Sequence, residues 1–110
     1  MNKLKGKKQI ELLFSKGQKI NNFPLSLIFL ESNQLSFGVS VGKRNFKLAV
    51  DRNRIKRMLR VVLNQHLLTV FEDSKKSFSV MLLYTGSDTP DWSLLDKKSK
   101  TLVEKLKKIL

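Results

Sequence analysis

The sequence predicts an α+β fold, a single domain over residues 1–110 in which a small, mostly antiparallel sheet of about four strands packs with three helices. Three observations lead there. Apolar residues recur at helical spacing in three blocks, near Leu13, Ile55 and Leu102, and alternate at strand spacing in others, most clearly over Ser36–Val41. The blocks run in the order helix, strands, helix, strand, helix, which suits helices packed on one small sheet. With 110 residues, 41% of them hydrophobic, the chain is long enough for one core and little more.

Residues 1–8 read as a basic N-terminal arm. Ile10, Leu13 and Phe14 then fall at helical spacing, and Gly17 stands where a helix stops, so a first helix is predicted from about Lys7 to Lys16. A strand follows Pro24, from Leu25 to Glu31, and the polar run from Glu31 to Gln34 makes a turn. In the next strand Phe37, Val39 and Val41 point one way, and Ser36, Gly38 and Ser40 the other. That second set is small and polar, so its face is half-solvated or lines a groove. Asp51 is placed to cap a second helix beginning near it. Ile55, Leu59, Val62, His66 and Val70 carry its apolar stripe to about Phe71. Residues 77–84 alternate again, with Phe78, Val80, Leu82 and Tyr84 on one side; 85–90 is a loop. Trp92, Leu95, Leu102, Leu106 and Ile109 mark a terminal helix.

The charge decides the class of partner. Lys and Arg number 22 against 9 Asp and Glu, a net +13. Self-repulsion of that size calls for a polyanion, and nucleic acid is the usual one. No apolar run approaches the ~20 residues of a membrane span, and no apolar segment follows the basic start as a secretory signal requires. The absence of cysteine excludes disulfides, thiolate metal sites and thiol catalysis, and suits a reducing cytoplasm. Residues 43–60 hold eight basic side chains and one acid, Asp51. Solvated helix faces normally alternate their signs, and this segment does not. At ~100° per residue, Arg52, Asn53, Lys56 and Arg60 share an arc beside the apolar stripe, whereas Arg54 and Arg57 lie on another side. Lys43 and Arg44 precede them in the connection. Arginine forks pair with phosphate and stack on bases, so all eight named residues are candidate RNA contacts. Two basic surfaces serve two RNAs or two parts of one.

Other residues carry less. His66, the one histidine, reads as a satisfied, partly buried side chain. Asp88 and Asp91 read as turn and cap residues. No paired carboxylates or nucleophile–base set suggests a protein-based nuclease, so no catalytic and no metal-binding residue is expected in this chain. Phe14 is open between two readings, core residue or stacking platform.

The run from Ala49 through Asp51-Arg52-Asn53-Arg54-Ile55-Lys56-Arg57 to Arg60 resembles the arginine–asparagine–arginine signature of the bacterial ribonuclease P protein subunit. Residues 37–44 look like the strand leading into that motif, and 13–17 like the end of the family's first helix. The chain departs from the family pattern at 45–48, where many members have a glycine, at Val61 in place of glutamate, and at Ile10 in place of an aromatic residue. The resemblance implies a protein that binds a catalytic RNA and the 5′ leader of precursor tRNA, with Mg2+ held by the RNA subunit. It implies no membrane and no required protein partner, and a left-handed βαβ crossover. It puts Arg52, Asn53, Lys56 and Arg60 toward the leader, and Arg54 and Arg57 toward the catalytic RNA. The leader is then expected in a groove between the small sheet face and the second helix. Phe14, Ser26, Ile28 and Ser40 would line the groove, and the helix arc would form its opposite wall. A structural ribosomal-type protein is the main alternative, sharing the charge but not the motif. A DNA-binding module and a protein nuclease lack the expected helix-turn-helix and acids.

Overall fold

Period-2 patterning builds the centre of the molecule. The computed structural model describes residues 2–4 and 6–110. Its strands are β1 (Asn2–Lys3), β2 (Gln18–Asn22), β3 (Leu25–Glu31), β4 (Ser36–Val41) and β5 (Phe78–Tyr84). Its helices are α1 (Lys7–Lys16), α2 (Ala49–Val62), α3 (Leu68–Glu72) and α4 (Trp92–Ile109), with a π-helical segment, Leu63–Leu67, joining α2 to α3. The sheet order is β1-β4-β5-β3-β2. β2–β3 and β3–β5 are antiparallel, while β4–β5 and the short β1–β4 pair are parallel. The four longer strands thus form a mixed sheet that is mostly antiparallel, and the α2–α3 helix is the crossover between its parallel neighbours.

The two sheet faces take different helices. Leu25, Leu27 and Phe29 of β3, Phe37 and Val41 of β4, and Val80, Leu82 and Tyr84 of β5 share one core with α2, α3 and α4. Phe71 sits at its centre, edge-on to Phe29, Phe37 and Phe78 with ring centroids 5.6–6.0 Å apart. On the other face α1 sets Leu13 against Ile28, with Leu4 and Met81 completing a small second cluster. Gly17 permits this approach. A Cβ there would lie 2.3 Å from the Leu13 carbonyl oxygen and 2.7 Å from Ile28 Cγ2.

Several expectations change. The basic arm is partly structured: Asn2–Lys3 pairs beside β4, Leu4 is buried, and Lys7 already begins α1, while Met1 and Lys5 lie outside the described residues. β2 was not expected, since Ile20 is its one buried side chain. β3 and β4 are not a hairpin, because β5 lies between them. α2 starts at Ala49, with Leu48 at the N-cap and no side-chain cap bond. Asp51 therefore stands inside the first turn, where its charge still favours the helix dipole. The π segment adds one residue to a turn, so the buried stripe passes from Val62 to Leu63, Leu67 and Phe71, leaving His66 and Val70 half-buried.

Candidate RNA interface

The basic segment is held by its apolar residues and leaves its charges outside. Ile55, Leu59 and Val62 are fully buried against the sheet. Arg52 and Lys56 are half-buried at the stripe's edge, and Asn53, Arg54, Arg57 and Arg60 are exposed. Among the described residues, ion pairs form at His66–Asp96, Lys76–Glu31 and Lys100–Asp96, and none involves residues 43–60. Eight cations therefore lie within 18 residues beside a single acid, Asp51, and none of them forms an ion pair among the described residues.

Arg52 differs from the rest. Its Nη1 donates to the carbonyl oxygens of Phe46 and Lys47, both at 2.8 Å. It fastens the loop before α2, and a guanidinium has further N–H donors beyond those two bonds. Phe46 in turn packs on Tyr84, with centroids 6.0 Å apart, and Asn45 Nδ2 donates to the Gly86 carbonyl at 3.3 Å. The loop carrying exposed Lys43, Arg44 and Lys47 is thus anchored at one end of the sheet.

The residues expected to line a groove differ in exposure, and α2 is not the helix on their side of the sheet. Through the β3–β5 and β4–β5 registers, Ser26, Leu83 and Ser40 form one row across the sheet. Ser40 and Leu83 are half-exposed; Ser26 is buried and donates to Asn21 Oδ1 at 2.7 Å. This row lies on the α1 side. α2 packs on the opposite face, so Arg52, Asn53, Lys56 and Arg60 do not form the wall across from Ser40. The wall is α1. Gln9 Nε2 donates to Ser79 Oγ at 3.0 Å on one flank of that helix. Ile10 and Phe14 fall on the other flank, the side of Ser26, Leu83 and Ser40. Phe14 is 48% exposed, which favours the presented ring over the core reading. Ile28 is covered by Leu13 and lies beneath α1 rather than in the open strip. Leu83 was missed, although its alternation against Leu82 placed it on this face.

Away from these surfaces, a cleft of about 740 Å3 opens between α3 and α4, lined in part by His66, Val70, Lys100 and Val103. At its edge His66 Nε2 donates to Asp96 Oδ1 at 2.6 Å, and Lys100 Nζ lies 3.3 Å from Oδ2. The His66 hydrogen bond, reinforced by Lys100, outweighs burial and holds the Asp96 carboxyl below its ordinary value of 3.8. A depressed carboxyl stabilises the fold above its unfolded pKa, and that contribution disappears as pH falls through the folded value. Asp96→Asn should therefore lower the melting temperature near neutral pH, with the difference from the parent chain shrinking as pH falls below the ordinary carboxylate value of 3.8. Melts across pH check this; a constant difference down to pH 2 would contradict it.

Among the described residues, no three His, Cys, Asp or Glu side chains converge as metal ligands, and no helix is long and apolar enough to cross a membrane.

A family model described as Ribonuclease P matches residues 1–107. The chain is 33% identical to the ribonuclease P protein component of Rickettsia bellii, covering 92% of this chain and 91% of that one. It is 30% identical to the component from a Pseudanabaena species, covering 96% and 91%. The ribonuclease P protein of Thermotoga maritima superposes with a TM-score of 0.75 over 96% of this chain and 97% of that one, at 17% identity.

Proposed function

Because the chain belongs to the ribonuclease P protein family, as a component of the endoribonuclease holoenzyme that matures tRNA 5′ ends, we propose that it uses opposite faces of its sheet for two RNAs. Membership implies an RNA subunit as partner. In our reading Arg54 and Arg57, on the outer side of α2, contact that catalytic RNA. The 5′ leader of precursor tRNA lies along the strip of Ser26, Leu83 and Ser40, beside Phe14. Lys43 and Arg44, two and three residues beyond the end of β4, meet its phosphates. Asn53, Lys56 and Arg60 add RNA contacts from the arc beside the buried stripe, with Arg52 shared between RNA and its own loop. The whole chain acts as one RNA-binding domain in the cytoplasm and requires no protein partner.

One observation carries this reading. The unneutralised cations of α2 and the half-open strip with its exposed aromatic ring are on different faces of one sheet. The strip, two serines flanking Leu83, offers few base-edge donors, so leader presence and length matter there more than leader sequence. In this reading the RNA subunit and its Mg2+ carry the chemistry, and the protein's part is to bind and position RNA.

The test is reconstitution with a matching catalytic RNA. Phe14→Ala should lower holoenzyme affinity for precursor tRNA about tenfold, the size of one lost base–aromatic stack, and leave mature tRNA affinity unchanged. Equal losses for both substrates would exclude a leader strip here.

A further inference from the structure

We infer that Phe23 is a second stacking platform, taking an unpaired base of the leader where it passes the outer end of the strip. The inference rests on the strip being the leader site. Phe23 is 71% exposed, the most exposed large apolar side chain among the described residues. It occupies the two-residue turn between β2 and β3, whose flanking residues Asn22 and Leu25 are register partners.

The turn is firmly held. Asn22 Nδ2 donates to the Lys98 carbonyl of α4 at 3.0 Å. The Pro24 carbonyl accepts from Thr85 N–H at 2.7 Å and from Thr85 Oγ1 at 3.0 Å. An exposed ring on a fixed backbone has little conformational entropy left to lose on stacking.

Its position supplies the rest. Thr85 joins Phe23's turn to the chain end of β5, and the adjacent Gly86 takes the hydrogen bond from Asn45. The loop bearing Lys43, Arg44 and Lys47 is therefore brought to the same end of the sheet as Phe23. The row Asn21, Ser26, Leu83, Ser40 runs across the sheet next to that end. Cations for phosphates, a ring for a base, and a half-open strip leading away are the components of a single-strand site. The residues preceding Phe23 in the chain, Asn21 and Asn22, are polar, and so is Thr85, which is bonded to its turn. A protein-docking patch would instead need continuous apolar surface.

The experiment uses reconstituted holoenzyme and precursor tRNAs carrying one fluorescent adenine analogue at successive leader positions. With the parent chain, fluorescence at one position beyond that served by Phe14 should be quenched on binding. Phe23→Ala should abolish the quenching at that position and weaken precursor affinity roughly tenfold, without changing mature tRNA affinity or holoenzyme assembly. Phe23→Trp should retain both. Unchanged affinity and quenching in Phe23→Ala, with Phe14→Ala still defective, would overturn the role of Phe23 alone. If Phe14→Ala is also silent, the leader strip itself is wrong. A Phe23→Ala variant that impairs assembly with the RNA subunit but not precursor affinity would overturn the assignment to the leader.

Discussion

Replacing Arg54 and Arg57 together by alanine is expected to weaken binding to the catalytic RNA by about two orders of magnitude. Hydrogen bonds to charged groups contribute ~1.5–3 kcal/mol each, and each 1.4 kcal/mol is about tenfold in affinity. Both side chains are exposed and free of ion pairs among the described residues, so the fold gives nothing back when they are removed. Loss of two phosphate contacts should also flatten the dependence of log affinity on log salt by roughly 1.4–1.8 units. Titrations at several salt concentrations measure both effects, with melts of each variant to show an intact fold. Arg54→Lys should retain most of the salt slope and lose part of the affinity, because the charge remains while the planar fork is gone. Unchanged assembly with lost leader-dependent affinity would mean that the two RNA surfaces are reversed.

Phe71→Ala should be the most damaging single change to stability. Phe71 is 1% exposed and meets three other rings, Phe29, Phe37 and Phe78, each in an edge contact. Truncating a buried phenylalanine costs ~3–5 kcal/mol through lost transfer energy and the cavity left behind. A domain of this size has ~5–15 kcal/mol in total, and 1 kcal/mol moves the melting temperature by roughly 4–8 °C. A fall of about 15–30 °C follows, with Phe71→Leu intermediate. Melts or urea titrations decide it. A loss under about 1 kcal/mol would mean that the neighbouring rings collapse into the space.

Two of the strands are legible at their full length. Leu25–Glu31 and Ser36–Val41 were read with the ends they have, because turn residues bound them on the sequence side. β2 was not legible because an edge strand with only Ile20 buried has no apolar period to detect. The stripe of α2 was correct through Val62 and drifted at the π segment, since a 3.6 period cannot report an inserted residue. Among the candidate contacts, the charges of α2 were visible because they depend on one helix alone. The wall of the strip was not. It depends on which helix covers which sheet face, and β5, whose neighbours the sequence does not reveal, sits between β3 and β4, the two strands that the turn at 31–34 joins. The carbonyl bonds of Arg52 left no trace in composition or spacing.

The central position of β5 also bears on how the chain is made. Domains fold as they emerge, at ~5–20 residues per second. Until residues 78–84 leave the ribosome, β3 has only β2 to pair with, and β4 only the two residues of β1. All eight cations of residues 43–60 are synthesised before the strand that completes the sheet beneath their helix. The nascent protein thus presents its most RNA-seeking stretch at a stage when it has no finished scaffold, within reach of the ribosome's own RNA. The final third of the chain ends that exposure, because β5 and α4 together close the core on which α2 rests.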